Sequence, residues 1–299
     1  MNMGAWIKAA RLRTLPLTLV CIGTGVSAGQ VSGYFSWPVF LLTILTAVLL
    51  QVLSNFANDY GDFVKGTDND ERVGPQRAMQ SGAISPSQMK LALWLFSLAS
   101  LASGISLLTI ALDGLKEWLV FFSLGLASIL AAITYTVGKN AYGYNGLGDI
   151  MVFLFFGLNG VFGSYYLQTS LLEWMAFLPA ISVGLFSTGV LNMNNLRDTE
   201  NDKACGKITI PVRIGVKATK VYQALLILLG LAASYAYFFL LGATDALFWL
   251  LPALLLFVFH LLAVFKEKHF KGFDKQLKIC VLATLVYGIC FAGYCFSTF

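Results

Sequence analysis

Apolar runs of about 17 to 25 residues, each long enough to cross a ~30 Å hydrocarbon layer as a helix, recur along the whole of this 299-residue chain. No other feature constrains the fold as strongly. Inside a bilayer no water satisfies a bare peptide group, so such a run must close its own hydrogen bonds as an α-helix. Composition agrees, with 58% of the residues hydrophobic and 12% charged, against roughly 45–50% apolar residues in ordinary soluble domains. The expected fold class is therefore all-α: a polytopic membrane protein with about nine transmembrane helices, forming one domain over residues 1–299.

The predicted spans are Leu15 to Gly33, Pro38 to Asn58, Gln88 to Ala111, Trp118 to Val137, Leu147 to Leu167, Leu172 to Asn194, Ala218 to Leu241, Ala246 to Phe265 and Gln276 to Phe296. The first run follows Lys8, Arg11 and Arg13 but lacks a convincing cleavage site, and reads as a retained helix. Lysine and arginine orient the map, because basic loops stay on the cytoplasmic side. With nine spans, one side carries all the basic residues except Lys116. This predicts a cytoplasmic N terminus and an external C terminus, with lipid as the surrounding partner and no nucleic acid. The two long cytoplasmic loops, 59–87 and 195–217, hold most of the acids. Function is expected on that face.

The second span ends in QVLSNFANDYGDFVKGTDNDERVGPQRAMQSG and the sixth in LNMNNLRDTENDKACGKITIPVRIG. Asn58 and Asp62 stand four apart, as do Asn194 and Asp198, and Asp198 and Asp202, a spacing that puts side chains on one helix face. Like charges so placed repel, and acids at a helix C-terminus oppose its dipole, so a cation must compensate. Oxygen donors without nearby His or Cys favour a hard ion, Mg²⁺ or Ca²⁺. The five cysteines have no metal-ligand spacing. Interleaved bases, Lys65, Arg72 and Arg77 in the first loop and Arg197, Lys203, Lys207 and Arg213 in the second, suit phosphate oxygens. Acids, metal and bases together predict a diphosphate site.

These segments strongly resemble the signature motifs of the UbiA superfamily of intramembrane prenyltransferases. Asn58, Asp59 and Asp62 match its NDxxDxxxD pattern, while Gly66 replaces the final acid and Asp68 follows two residues later. That variant, the RxGPxR stretch, and YTVGKNAYGYNGLGDI after the fourth span resemble the menaquinone branch. The resemblance implies a ring of nine helices around a central cavity, set in a bacterial inner membrane. It further implies Mg²⁺ held by Asp62, Asp68, Asp198 and Asp202 with Asn58 and Asn194, and with Asp59 in the same motif. It implies a polyprenyl diphosphate donor and a 1,4-dihydroxy-2-naphthoate acceptor, joined with loss of CO₂ and diphosphate to give demethylmenaquinone. Asn58, Asp62, Asp198 and Lys139 are the candidate catalytic residues. Lys65, Arg72, Arg77, Arg197, Lys207 and Arg213 are the candidate diphosphate ligands, and Tyr135, Tyr142 and Tyr144 the acceptor ligands. The alternatives are another acceptor (4-hydroxybenzoate, homogentisate or haem) and, in a different class, a cation transporter.

Overall fold

The computed structural model describes residues 3–69 and 73–299, all of its regular elements helical. Among the described residues, nine helical segments are long and apolar enough to cross a membrane, the expected number. Numbered in chain order, the helices are α1 (Met3–Ala10), α2 (Leu15–Val31), α3 (Trp37–Val64), α4 (Pro86–Ala111) and α5 (Leu115–Thr134). A composite fifth span joins α6 (Gly148–Val152), a π-helical stretch (Phe153–Phe162) and α7 (Gly163–Thr169). There follow α8 (Phe177–Arg197), the short α9 (Thr199–Ala204), α10 (Ile210–Leu240), α11 (Ala246–Lys266) and α12 (Phe273–Thr298).

Local sequence sets several helix starts. Proline occupies the first turn of α2, α3, α4 and α10, where its missing N–H costs nothing and its fixed φ suits the helix. Ser85 opens α4 with a reciprocal cap, its hydroxyl accepting from Gln88 N and Gln88 Oε1 accepting from Ser85 N. The outer faces of the bundle are apolar at helical spacing. Leu91, Trp94, Leu95 and Leu98 line one stripe of α4, with Trp94 70% exposed, and Phe248, Leu251, Leu255, Phe259 and Leu262 line one of α11. In water such stripes would be a liability; in a bilayer they are the lipid contact.

Small residues let the inner helices close up. A Cβ on Gly25 would run into Ser164 and the Val161 carbonyl, and one on Gly157 would lie 2.6 Å from the Ala180 carbonyl oxygen and 2.9 Å from Gly184 Cα. The two main cores lie apart. One gathers α2, the fifth span, α8, α10, α11 and α12 around Phe186, Phe257, Tyr287 and Phe291. The other joins α1, α3 and α4 around Leu53, Phe56 and Met89.

Several boundaries differ from the sequence reading, among them the start of α10 at Ile210 instead of Ala218. The loop expected to begin at Asp59 begins after Val64, so Asn58, Asp59 and Asp62 all lie on α3. Similarly, α8 runs on to Arg197 and carries Asn194. Hydropathy marks where apolar character ends, whereas a helix continues as long as its backbone ladder does. The N-terminal segment, read as a tail, forms α1 against α3, with Trp6 edge-on to Phe56 at 5.4 Å and Asn55 Nδ2 donating to Ala10 O at 2.8 Å. The chain turns at Arg11, φ +50°, so the N-terminal segment and the motif acids share one end of the bundle. Phe296 near the C terminus packs on Phe35 at the other.

Candidate active site

The acids of the first motif converge on one guanidinium. Arg77 places Nη1 2.6 Å from Asp59 Oδ1, Nη2 3.4 Å from Asp62 Oδ2 and Nε 3.2 Å from Asp68 Oδ1. The three carboxylates are almost entirely buried, and Arg11 adds a second contact to Asp59. In the second motif α8 stops at Arg197; Asp198 caps it with φ −96° and ψ 9°, and α9 restarts the helix. Arg197, fully buried, grips both oxygens of Asp198 at 2.7 and 2.8 Å and also binds Asn194 Oδ1 at 2.9 Å and Asp274 Oδ1 of α12 at 2.8 Å. Lys207 Nζ lies 3.7 Å from Asp202. Like charges expected to repel are thus neutralised in place.

The turn between α5 and α6 ties the two rows together. Tyr144 donates to Asp62 Oδ1 at 2.8 Å, so the Thr67 hydroxyl, 2.5 Å away, donates to Tyr144. The Tyr144 carbonyl accepts from Ile208 N at 2.9 Å, and Asn201 Nδ2 reaches the Thr67 carbonyl at 3.0 Å. Lys65 Nζ sits 3.8 Å from the Tyr144 ring centroid and Lys207 Nζ 5.4 Å from it, both within cation–π range. Burial pulls the Lys65 pKa down against the opposing pull of Asp62. For Lys207 burial also disfavours the charge, but Asp62 and Asp202 outweigh it and its pKa is raised. Lys207 therefore stays a buried ammonium beside Asp62.

Beneath this charged mouth a cavity of about 530 Å³ runs into the bundle. Asn58, Asp62, Arg77, Asn194 and Lys207 line its polar end, and leucine and phenylalanine side chains such as Leu107, Leu108, Phe155 and Phe156 line its depth. The π-helical stretch contributes Phe155, Phe156, Asn159 and Gly160 to the wall; extra residues per turn of this kind are often found at functional sites. Tyr135 and Tyr142 also line the cavity, their rings edge-to-face at 5.2 Å. Burial raises the Tyr135 pKa to about 12, so its hydroxyl remains a donor.

The remaining expected residues sit elsewhere. Lys139 is exposed past the turn at Gly138 (φ +98°) and does not line the cavity. Arg213 is exposed and spends Nη2 on the Asn145 carbonyl at 2.7 Å. Arg197, expected in the diphosphate clamp, is instead consumed by its three partners and does not reach the cavity. Tyr144, expected to face the acceptor, is spent on Asp62. Lys203 is exposed on α9, and Arg72 lies outside the described residues. Asp59 faces Arg11 and Arg77 and is absent from the cavity wall.

Other site residues escaped the sequence reading. Gln51 and Asn55 line the cavity on α3. With Asn58 and Asp62 they form a polar stripe at spacings of four, three and four, a helical-period signal inside an apolar run. Arg11, Asp274 and Lys278 complete the mouth from the chain's two ends. Nothing local in the sequence announces that, since only the ring closure brings α12 against α2.

The donors gathered here are carboxylate and asparagine oxygens with no His or Cys among them, which fits a hard divalent cation. Among the described residues no three acidic or sulfur- or imidazole-bearing side chains form a ready metal cage, because the first-motif acids are drawn onto Arg77. A multi-pass helical bundle with an acid-and-ammonium mouth over an apolar cavity has the shape and charge to admit a molecule with an anionic head and an apolar tail. The chain belongs to the UbiA prenyltransferase family, which it matches over residues 17–293. It is similar to the 1,4-dihydroxy-2-naphthoate octaprenyltransferase of Haemophilus influenzae, 50% identical over 224 residues that cover 74% of this chain and 73% of that one. The enzyme of that name from Escherichia coli is 46% identical over 246 residues, 82% of this chain and 80% of the other. In fold the chain resembles a UbiA homolog from Archaeoglobus fulgidus bound to DMAPP and Mg²⁺, with TM-score 0.62 and 16% identity over 97% of this chain and 99% of that one.

Proposed function

We propose that this chain transfers a polyprenyl group from a polyprenyl diphosphate to 1,4-dihydroxy-2-naphthoate, with release of diphosphate and CO₂, in a bacterial inner membrane with its N terminus inside. The observation that carries the reading is the shared mouth, where Asn58 and Asp62 of one motif and Asn194 and Lys207 of the other open onto one apolar cavity. The names of the relatives, at 46–50% identity over most of the chain, supply the acceptor.

Asp62, with Asp68, Asp198 and Asp202, and with Asn58 and Asn194 from the cavity wall, holds Mg²⁺ in this reading, the ion that the Archaeoglobus homolog binds together with DMAPP. Bound Mg²⁺ supplies Lewis-acid stabilisation of the departing diphosphate. Lys207 and Lys65 hold the diphosphate oxygens by charge, and Arg77 is near enough to join them from the cavity wall. The donor's allylic carbon–oxygen bond breaks with its electron pair leaving on the diphosphate. A ring carbon of the acceptor then forms the new carbon–carbon bond, and the acceptor's carboxylate leaves as CO₂. The apolar walls exclude water that would quench the allylic cation. Tyr135, a donor at the polar end, and Tyr142 beside it bound the acceptor's place, while Asp59 and Arg197 hold the motif rows in register.

Offering purified protein 1,4-dihydroxy-2-naphthoate, 4-hydroxybenzoate and homogentisate in parallel tests the acceptor. The dihydroxynaphthoate is expected to be prenylated at least tenfold faster than either competitor, a discrimination that a polar acceptor pocket supplies. Equal or faster transfer to another ring would overturn the acceptor assignment.

A further inference from the structure

At the opposite end of the bundle from the motifs lies a second, separate pocket of about 260 Å³, walled by Ala28, Val31, Met175, Ala176 and Leu241. Four oxygen-bearing side chains converge on it: Ser32, Tyr165, Glu173 and Tyr237. Ser32 donates to Glu173 Oε2 at 3.4 Å, so the Tyr165 hydroxyl, 3.3 Å from Ser32 Oγ, donates to Ser32. Tyr237 is 3% exposed and lines the pocket, yet its hydroxyl makes no hydrogen bond among the described residues. Glu173 is exposed at the rim and makes no ion pair among them, and no basic side chain lines the pocket. The rim is backbone-strained, since Ser170 holds φ +54° between α7 and Glu173, a conformation disfavoured for a residue with a Cβ.

We propose that this pocket binds a primary ammonium group, carried by the headgroup of an aminophospholipid such as phosphatidylethanolamine or by a free small amine. Glu173 sets a carboxylate at the exposed rim of the pocket, and beneath it lies the Tyr237 hydroxyl, buried and without a hydrogen-bond partner among the described residues. The hydroxyl oxygens and the carboxylate all present lone pairs, and a primary ammonium brings three N–H donors and no acceptor. A quaternary ammonium would instead need ring faces. The two rings that line the pocket are already committed: Tyr237 stacks on Phe291 at 5.6 Å, and Tyr165 packs against Phe162 at 6.0 Å. The rim also carries Leu172, Trp174 and Phe239, all well exposed, which suits a headgroup arriving with its acyl chains. Nothing here depends on the acceptor or donor of the other site.

The test is native mass spectrometry of the full chain released from nanodiscs made with equal phosphatidylethanolamine and phosphatidylcholine. Wild type should retain phosphatidylethanolamine in preference to phosphatidylcholine. E173Q should lower that retention about tenfold and Y237F several-fold, the scale of a lost hydrogen bond to a charged group, with thermal stability and any prenyl transfer unchanged. Millimolar ethanolamine that displaces the lipid would show that the headgroup amine suffices. Retention unaffected by ethanolamine but lost in E173Q would assign the site to the lipid. Equal retention of both lipids, or wild-type retention by both variants, would overturn the proposal.

Discussion

Asp62 meets three groups at once: the Tyr144 hydroxyl at 2.8 Å, Arg77 at 3.4 Å, and the cavity that it lines. In the proposed mechanism it loses its role if its charge is removed without a change of shape. Asp62→Asn is therefore expected to lower kcat by about 10²–10³-fold, the scale of a lost electrostatic contact to a developing charge, while the detergent-solubilised protein keeps its melting temperature within a few degrees. Steady-state kinetics and thermal scanning on the same sample check both halves. Tyr144 acts on Asp62 and not on substrate, so Tyr144→Phe should cost only about 5- to 30-fold and should raise the Mg²⁺ concentration needed for half-maximal rate. At this scale the sequence was legible for residue type and opaque for engagement. It named Asp62, Asn58 and Lys207, which line the cavity, and equally Arg197, Arg213 and Lys139, which do not. The charge of an arginine can be read from the chain; whether a neighbouring acid already consumes it depends on tertiary geometry.

The helix α3 shows what periodicity does and does not announce. Its polar stripe from Gln51 to Asp62 could have been read, and with it the fact that the motif is helical and not loop. Gly61, on the same turn, is set by packing: a Cβ there would approach Thr136 Oγ1 to 2.5 Å, and Thr136 donates to the Ala57 carbonyl at 2.8 Å. Gly61→Val should force α3 away from the turn after α5 and cost about 1–3 kcal/mol, seen as a lower melting temperature, with activity falling because Asp62 is carried along. A second buried element lies away from the site. Asn192 donates to Gln223 Oε1 at 2.9 Å, and Gln223 Nε2 lies 3.0 Å from His260 Nε2, joining α8, α10 and α11. His260 is fully buried in this network. His260→Leu should destabilise the protein by about 1–3 kcal/mol through the Gln223 amide left unpaired, without changing the dependence of rate on Mg²⁺. The π-helical turn at Phe153–Phe162 left only a faint trace in the sequence: Asn159, set between glycines in an apolar run and bonded to Ser128 at 3.1 Å.

For the whole molecule, span number was the most legible property, because the bilayer imposes a minimum length on every crossing and hydropathy records it directly. Ring closure was not legible from hydropathy and was expected only from the family resemblance. Arg11 reaches Asp59, and Asp274 of α12 reaches Arg197, so the two ends of the chain finish a site whose motifs lie in its middle. The assembled bundle sets a charged mouth over a largely apolar cavity, and the central claim is that this mouth releases diphosphate from a prenyl donor with the help of a divalent ion. The most direct measurement is transfer of a labelled polyprenyl diphosphate to 1,4-dihydroxy-2-naphthoate by purified protein in detergent, with captured CO₂, in Mg²⁺ and after chelation. Prenylated product and CO₂ in equal amounts with Mg²⁺, falling by at least about 10²-fold on chelation and returning when Mg²⁺ is restored, is the predicted result. Undiminished transfer after chelation, or no transfer to any aromatic acceptor from protein that remains folded, would contradict it.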